Sequence, residues 1–361
     1  MRLANTRTIR HEPILAQTIY NENGVVLLQQ GMRLTKRIVD KLTMQGVTYI
    51  YIQDGATDDI QPESALSEKL RMKATRTLKK VFSNVKESDL SKRSYILDRN
   101  GAELTDVVNQ IIFEVQGNEK SLSLLSDIYI SDDYIFQHSL NVTIYSLAIG
   151  VEMGFSRKEL ISIGVGAMLH DIGKIFIDRD ILQKPDKLTD AEFAVIKSHA
   201  QIGFDFLRQH PDIPGVVAHC AYQHHERLDG SGYPRGIAGE ELHSYAKLIG
   251  IADVFDAVTS NRVYREAMLP HEGLEILYAG AVNLFDKTMI EAFKKSIAVY
   301  PDGLMVGLSG GREGVVLKQN REICDRPVIR VLKENGQKLA SPYELDLMQE
   351  PAVMVESVKA A

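Results

Sequence analysis

The sequence lacks tryptophan and contains only two cysteines, Cys220 and Cys324, among 361 residues. They form no CxxC pair and no zinc-ribbon pattern, which argues against a disulfide scaffold and against a cysteine-based zinc site. The longest nearly uncharged runs, such as ISIGVGAML, fall well short of the ~18 residues that span a bilayer, and no apolar run follows the basic N-terminus. We therefore expect a cytoplasmic protein with two free thiols and no membrane insertion.

The chain also lacks an excess of positive charge. Its net charge is −6 and its pI is near 6.0, which argues against a broad surface for nucleic acid or anionic lipid, so we expect no DNA partner. An anionic ligand would need cations placed specifically for it. The sequence contains no GxxxxGK[ST] phosphate loop and no cysteine positioned as a nucleophile, which argues against a P-loop and against a cysteine nucleophile.

Hydrophobic patterning divides the chain into four stretches. Short β-rich runs around one helical segment predict a small α+β module over residues 1–60, and residues 61–120 are expected to hold a linker and connecting helices. Residues 121–298 have helical periodicity almost throughout, whereas alternation returns over 299–361. The expected fold class is mainly α, a helical bundle with a small α+β N-terminal module and a small β-rich C-terminal appendage.

Two helices have distinct sequence signals. Thr189 and Glu192 form a capping-box pattern before an apolar-periodic run, which predicts that a helix begins there. A connecting helix has an apolar stripe that suits either packing against the chain's own core or self-association, so a homodimer is one expectation. The residues of this stripe recur at three- and four-residue spacing: Leu66, Leu70, Ala74, Leu78, Val81 and Val85.

Histidines are concentrated in the helical region, where seven of the ten lie between positions 138 and 225. His170 and Asp171 are adjacent at the end of the apolar segment GVGAML, where an imidazole and a carboxylate are costly unless each has a partner. Lys174 follows on the same side of a continued helical turn and suits a substrate phosphate. Asp253 and Asp256 are three positions apart in another apolar helix and share one face.

A set of buried acids and imidazoles suggests metal. Taken singly, His138, His199 or His224 would be interpreted as a hydrogen-bonded structural histidine, and Asp253 as a cap or an ion-pair partner. Together with His170, Asp171, His225 and Asp256 they make eight groups on inward-looking helical faces, which is more than the four to six ligand positions of one ion. The sequence therefore predicts two divalent metal ions, and the mixture of imidazole and carboxylate favours Fe or Mn.

At this point the chain resembles the HD-GYP phosphodiesterases, a branch of the HD metal-dependent phosphohydrolase superfamily. The matching motifs are HDIGK at 170–174, KSHAQIG, HHERLDGSGYPRG at 224–236, IADVFDAVTS at 251–260 and the YRE that follows Arg262. The resemblance covers roughly residues 121–298 and implies an HD-type helical bundle as the catalytic domain.

The resemblance also implies a ligand set. The first metal would be held by His138, His170, Asp171 and Asp253, and Asp171 would bridge to the second. His199, His224 and His225 would complete the second site. Asp256 would be a further ligand or would orient one. Family members with a third metal carry a glutamate where this chain has Tyr134, so the resemblance implies two metals.

Four residues are implied to meet the substrate. The glycine-rich GYP loop borders the substrate pocket in the family, and Tyr233 would offer it an aromatic face. Arg262 and Arg265 match positions that contact phosphate, alongside Lys174. Val263 replaces a proline that is common in the family, which puts the rigidity of this arginine-bearing turn in doubt.

The function implied is hydrolysis of cyclic di-GMP, a bacterial second messenger, to linear pGpG or onward to GMP. Water held between two metal ions has its pKa lowered from ~16 towards neutrality, and Lys174 with Asp171 would complete the catalytic site. One alternative is a catalytically weak cyclic di-GMP-binding scaffold that contacts a diguanylate cyclase or another signalling protein. Another is a hydrolase of a different cyclic dinucleotide, such as cyclic GMP-AMP.

Overall fold

The structure is a computed structural model, and it describes most of the chain. The described residues are 1–21, 25–62, 64–87, 93–117, 122–123, 129–130, 134–184, 186–260, 266–320 and 323–359. No helix within these ranges is both long enough and apolar enough to cross a bilayer.

The N-terminal region forms two small sheets around one helix. Its elements are β1 (Arg2–Asn5), β2 (Ile14–Leu15), β3 (Ile19–Asn21), β4 (Val26–Leu28), α1 (Lys36–Met44) and β5 (Tyr49–Gln53). One sheet has the order β1-β5-β2, and the other joins β4 and β3 to β6 (Tyr129–Ile130) from later in the chain. Side chains alternate along β5, so Ile50 and Ile52 pack in one core with α1 while Tyr49 and Tyr51 pack in another.

Two long helices connect this region to the bundle, α2 (Glu68–Glu87) and α3 (Arg93–Gly117). The apolar stripe predicted for the first of them is buried, from Leu66 at 1% exposure to Val85 at 0%. It packs in one core with Val107 and Ile111 of α3 and with residues of the bundle. The stripe therefore serves the chain's own core and is not available to a second copy.

The central bundle is helical, as the periodicity predicts. It comprises α4 (Tyr134–Glu152), α5 (Arg157–Leu169), a 3-10 helix (Ile172–Phe176), α6 (Arg179–Leu182), α7 (Asp190–Leu207), α8 (Gly215–Gln223), a 3-10 turn (Gly239–Glu241), α9 (Ser244–Thr259), α10 (Pro270–Ala279) and α11 (Lys287–Ser296). The capping box at Thr189 and Glu192 is confirmed, because each side chain bonds the other's backbone N–H at the start of α7.

The C-terminal region is an antiparallel five-stranded sheet of order β10-β9-β8-β7-β11. Its strands are β7 (Met305–Leu308), β8 (Arg312–Lys318), β9 (Val328–Glu334), β10 (Gln337–Asp346) and β11 (Val355–Val358). The mainly α class with strand-containing regions at both ends is confirmed.

The two ends of the chain share a core, which no local sequence pattern indicates. Tyr51 and Leu3 from the N-terminal sheet pack in one apolar cluster with Leu304 and Val306. Arg330 of β9 forms a two-point ion pair with Asp59, with both N–O distances at 2.7 Å. The N-terminal region is therefore anchored to the C-terminal sheet.

Candidate metal centre

The bundle converges on Asp171, which is fully buried at the junction of α5 and the 3-10 helix. Four other segments surround it. His138 projects from α4, His199 from the middle of α7, and Asp253 from α9. His224 and His225 follow directly after α8. Side chains from widely separated positions thus meet in one buried cluster, as their inward-facing periodicity predicts.

The two oxygens of Asp171 face different histidines. Oδ1 lies 3.3 Å from His199 Nε2 and 3.8 Å from His224 Nε2. Oδ2 lies 3.4 Å from His170 Nε2 and 3.6 Å from His138 Nε2. A carboxylate placed in this way can serve two cation positions at once.

The cluster contains two groups of residues. Within each group, the ligand atoms lie within 4.8 Å of one another. One contains Asp171 with three histidines; the other contains Asp171 with two. Asp253 adjoins both, because its Oδ1 lies 3.1 Å from His138 Nε2 and its Oδ2 lies 3.5 Å from His225 Nδ1. The first group is Asp171, His199, His224 and His225, and the second is His138, His170 and Asp171.

Three histidines are held in the tautomer that a metal requires. Nδ1 of His170 and Nδ1 of His199 each lie 2.7 Å from a backbone carbonyl oxygen of their own helix, and Nδ1 of His224 lies 2.9 Å from another. A carbonyl only accepts, so each Nδ1 carries the proton and each Nε2 presents a lone pair to the site. Backbone contacts of this kind also fix the ring orientation.

Several acceptors in the cluster lack a hydrogen-bond donor. His170 Nε2 and Asp171 Oδ1 are buried and have no hydrogen-bond partner within the described residues. Nε2 of His199 and Nε2 of His224 face each other at 3.3 Å. Buried polar atoms are seldom left without a partner, and two lone pairs at this distance repel. A divalent cation would satisfy all of them, so the residues present fit a metal site.

Burial and neighbouring charges set the protonation of these groups, and they leave His199 neutral and Asp171 ionised. Burial lowers the pKa of His199 to about 4, despite the nearby Asp171 carboxylate, so this imidazole is neutral at pH 7. Burial raises the pKa of Asp171, but Lys174 and the histidines outweigh it and hold the pKa well below its ordinary value. Burial opposes protonation of His138, yet hydrogen bonds with Asp253 and Asp256 raise its pKa to about 10 in the absence of metal.

Asp256 lies behind His138 and not beside Asp171. Its Oδ2 lies 2.7 Å from His138 Nδ1, and its Oδ1 accepts hydrogen bonds from Asn141 at 2.8 Å and from Ser260 at 2.6 Å. Both carboxylate oxygens are therefore engaged on the side of the imidazole that faces away from the cluster. This arrangement favours the orienting role for Asp256 over direct coordination.

Lys174 reaches the cluster through the 3-10 helix, which puts it one tight turn after Asp171. Its ammonium pairs with Asp171 Oδ2. Gly173 makes this turn possible, because a Cβ there would lie 2.0 Å from the backbone oxygen of His199. The glycine of the HDIGK motif thus allows the turn to pack directly on α7.

The GYP loop folds back on the histidine pair that precedes it. A Cβ on Gly232 would lie 2.5 Å from the backbone oxygen of His225, so only glycine fits. The Arg235 N–H donates to Glu226 Oε1 at 2.8 Å, which ties the end of the loop to its start. The Tyr233 ring lies 4.6 Å from the His225 ring between centroids, so its side chain forms a wall beside the metal cluster.

Two predicted phosphate contacts, Arg262 and Arg265, lie outside the described residues. The structure also adds residues that the sequence did not single out. Asn141 and Ser260 hold Asp256 in place. Their spacing was a usable signal, because Asn141 is three positions after His138 and Ser260 four positions after Asp256, which places each on the same helical face as its neighbour.

Comparison with known proteins gives two family matches. Residues 123–289 match the HD domain, and residues 305–360 match a KOW domain associated with the HD domain. A cyclic di-GMP phosphodiesterase of Pseudomonas aeruginosa is 33% identical over 68% of this chain and 59% of its own length. A cyclic di-GMP phosphodiesterase of Thermotoga maritima is 35% identical over 68% of this chain and 66% of its own length.

A third relative, a 3'3'-cGAMP-specific phosphodiesterase of Vibrio cholerae, is 36% identical over 47% of this chain and 36% of its own length. The chain thus spans less than two thirds of the length of these relatives.

Among solved structures, Bd1817 of Bdellovibrio bacteriovorus, described as an HDG"Y"P protein, superposes with a TM-score of 0.52 at 18% identity. That alignment covers 81% of this chain and 97% of Bd1817, which shows a shared fold.

Proposed function

Because the chain belongs to the HD-GYP branch of the HD domain family, we propose that it is a metal-dependent phosphodiesterase that hydrolyses cyclic di-GMP to linear pGpG or onward to GMP. The observation that carries this proposal is Asp171, whose two oxygens face two separate groups of buried histidines. Such a carboxylate suits a pair of divalent cations, and paired cations suit phosphodiester hydrolysis.

The proposed ligand assignment follows the two groups. One ion would be held by His138, His170, Asp171 and Asp253, and the other by Asp171 with the remaining histidines, His199, His224 and His225. The mixed imidazole and carboxylate set favours Fe or Mn. Tyr134 stands where family members with three metals carry a glutamate, which supports two ions.

Divalent ions bound at these residues would supply Lewis acidity toward the phosphodiester and a lowered pKa for water. The chain's own groups bind and orient. Lys174 places an ammonium beside Asp171, where it can offset negative charge on a phosphoryl oxygen. Asp256 holds the His138 ring, and Tyr233 closes one side of the cluster against solvent.

Neither cysteine offers a competing nucleophile. Cys220 is fully buried, and burial raises its pKa to about 12, so it is a thiol and not a thiolate at pH 7. Cys324 is 3% exposed and its thiol contacts a backbone carbonyl. The two buried cysteines form no disulfide, which supports a reducing compartment, and we place the reaction in the cytoplasm. We further propose that Arg262 and Arg265 contact a substrate phosphate.

The test is turnover of cyclic di-GMP by protein loaded with Mn²⁺ or Fe²⁺, with products separated by chromatography. We expect linear pGpG or GMP from the wild type, and no product from His170→Ala, from Asp171→Ala or from wild type treated with a chelator. Thermal unfolding curves of both variants would verify that they fold. Turnover that persists in both substituted proteins would refute the assignment of the site.

Cyclic GMP-AMP is a second candidate substrate, because the Vibrio cholerae relative is a 3'3'-cGAMP-specific phosphodiesterase with 36% identity. The two substrates differ in one base, so the metal cluster alone does not distinguish them. A direct competition between cyclic di-GMP and cyclic GMP-AMP, followed by the ratio of their kcat/KM values, decides which is preferred. A protein that binds either nucleotide without turnover would instead fit the scaffold alternative.

A further inference from the structure

A cation and two aromatic rings lie together at the edge of the metal cluster. Lys197 is two residues before the buried His199 on α7, and Phe193 lies one helical turn before Lys197. The Lys197 ammonium is 5.0 Å from the centre of the Phe193 ring and 5.8 Å from the centre of the Tyr233 ring. Tyr233 packs on His225, so only the Tyr233 ring lies between Lys197 and a proposed metal ligand.

The group has features of a binding surface. Phe193 is 46% exposed, so one part of its ring is open to a ligand. Within the described part of the chain, the Lys197 ammonium has neither an ion pair nor a hydrogen bond. The acidic residue nearest to Lys197 in sequence is Glu192. Its Oε1 pairs with Lys184 Nζ at 2.7 Å. Lys197 thus carries an unneutralised positive charge beside an exposed aromatic face.

Size and charge connect this surface with the proposed substrate. A cyclic dinucleotide contains two phosphates and two bases, so one phosphate at the metal cluster leaves a second phosphate and its base outside it. Bases stack on aromatic side chains, and ammonium groups bind phosphate oxygens. An exposed ring with a free ammonium at the edge of the cluster offers both kinds of contact.

We propose that Lys197 and Phe193, together with Tyr233, form a subsite for the nucleotide half of the substrate that is not at the cleavage position. In this subsite a base stacks on Phe193 and the second phosphate meets Lys197. The proposal rests on the proposed function. It names specificity-determining residues that contribute to substrate binding and leave the metal cluster unchanged.

The alternative is that Lys197 and Phe193 only stabilise α7. A lysine and an aromatic ring at this spacing on a helix surface attract each other weakly without any ligand. That role would affect thermal unfolding but not the choice of substrate. Only the subsite therefore predicts that a substitution raises KM for cyclic di-GMP.

The experiment compares a large and a small phosphodiester. Michaelis constants are measured for Lys197→Met and Phe193→Ala with cyclic di-GMP and with bis(p-nitrophenyl) phosphate, which is too small to reach beyond the cleavage position. Lys158→Met is the matched lysine control, because Lys158 is exposed and lies about 18 Å along α5 from His170. Val195→Ala controls for loss of an exposed apolar side chain on α7.

We expect each subsite variant to raise KM for cyclic di-GMP about 10-fold, which matches the loss of one stacking or ionic contact. Its kcat/KM for bis(p-nitrophenyl) phosphate should stay at the wild-type value, and both controls should behave as wild type. An unchanged KM for cyclic di-GMP would overturn the subsite, and so would equal losses on both substrates. A wild-type protein that cleaves no cyclic dinucleotide would instead overturn the proposed function, and the subsite with it.

Discussion

Replacing Gly173 by alanine should separate the two halves of the metal cluster. The new Cβ would lie 2.0 Å from the backbone oxygen of His199 and 2.8 Å from the backbone nitrogen of Gly203. Both are main-chain atoms of α7 and cannot rotate aside, so the 3-10 helix must move away by about 1.4 Å or more to reach ordinary van der Waals contact. Overpacking of this kind costs about 3 kcal/mol.

The displacement matters more for metal binding than for folding. Asp171, two residues before Gly173, lies 3.3 Å from His199 through its Oδ1. Metal sites tolerate deviations of only about 0.2 Å in ligand distances. A shift of about 1.4 Å therefore removes the shared carboxylate from the histidine group on α7. We expect Gly173→Ala to retain less metal than the wild type and to lose activity.

The assay combines thermal unfolding with metal analysis after reconstitution with Mn²⁺. The midpoint of unfolding should fall by about 4 °C. Gly101→Ala is the matched control, because a Cβ at this position in α3 meets no atom within 4 Å. It should stabilise the protein by about 0.5–1 kcal/mol, since alanine is the better helix former. If Gly173→Ala kept both the wild-type midpoint and the wild-type metal content, the close packing of the 3-10 helix on α7 would be refuted.

Three further outcomes are expected. Asp256→Asn should weaken metal affinity 10- to 100-fold, because His138 loses the carboxylate that orients it; an unchanged affinity in a metal titration would contradict the orienting role. Hydrogen bonds from Lys184 and from the capping box lower the pKa of Glu192 from 4.5 to about 2. Its stabilising effect is thus present above pH 4.5 and lost as the pH falls toward 2, so Glu192→Gln should differ from wild type in urea unfolding at pH 7 and converge with it near pH 2. Chelation should lower the unfolding midpoint of the wild type but not of Asp171→Ala, and equal shifts in both would count against metal at this cluster.

The bundle was predictable because its signals are local. The capping pattern at Thr189 placed the start of α7 correctly, and helical periodicity predicted the buried faces that carry His138 on α4 and His199 on α7. The convergence of the cluster followed, since polar groups on apolar faces must meet partners. The shared core of the two chain ends was not predictable in this way. Tyr51 and Leu304 are far apart in sequence, and alternation along a strand shows which side chains are buried but not what covers them.

Asp253 and Asp256 show how far spacing arguments reach. Residues three apart on a helix share a face only approximately, because they differ by about 60° around the axis. That angle is enough to send Asp253 to the cluster, at 3.1 Å from His138 Nε2, and Asp256 to the opposite nitrogen of the same ring. Sequence periodicity thus predicts that both carboxylates are buried near His138, whereas their different roles depend on the position of α4.

The glycines explain why ligands from five segments can meet within a few ångströms. Imidazole and carboxylate side chains are short, so their backbones must approach closely, and a Cβ at the crossing points would prevent this. Gly173 admits the backbone of His199, Gly250 on α9 approaches the carbonyl oxygen of His224 so closely that a Cβ would lie 2.7 Å away, and Gly232 folds onto His225. Each crossing therefore involves the main chain of a histidine in the cluster. The ligands supply the chemistry of the centre, but these contacts set its dimensions, so the glycines of the HDIGK and GYP motifs are structural requirements of the same site.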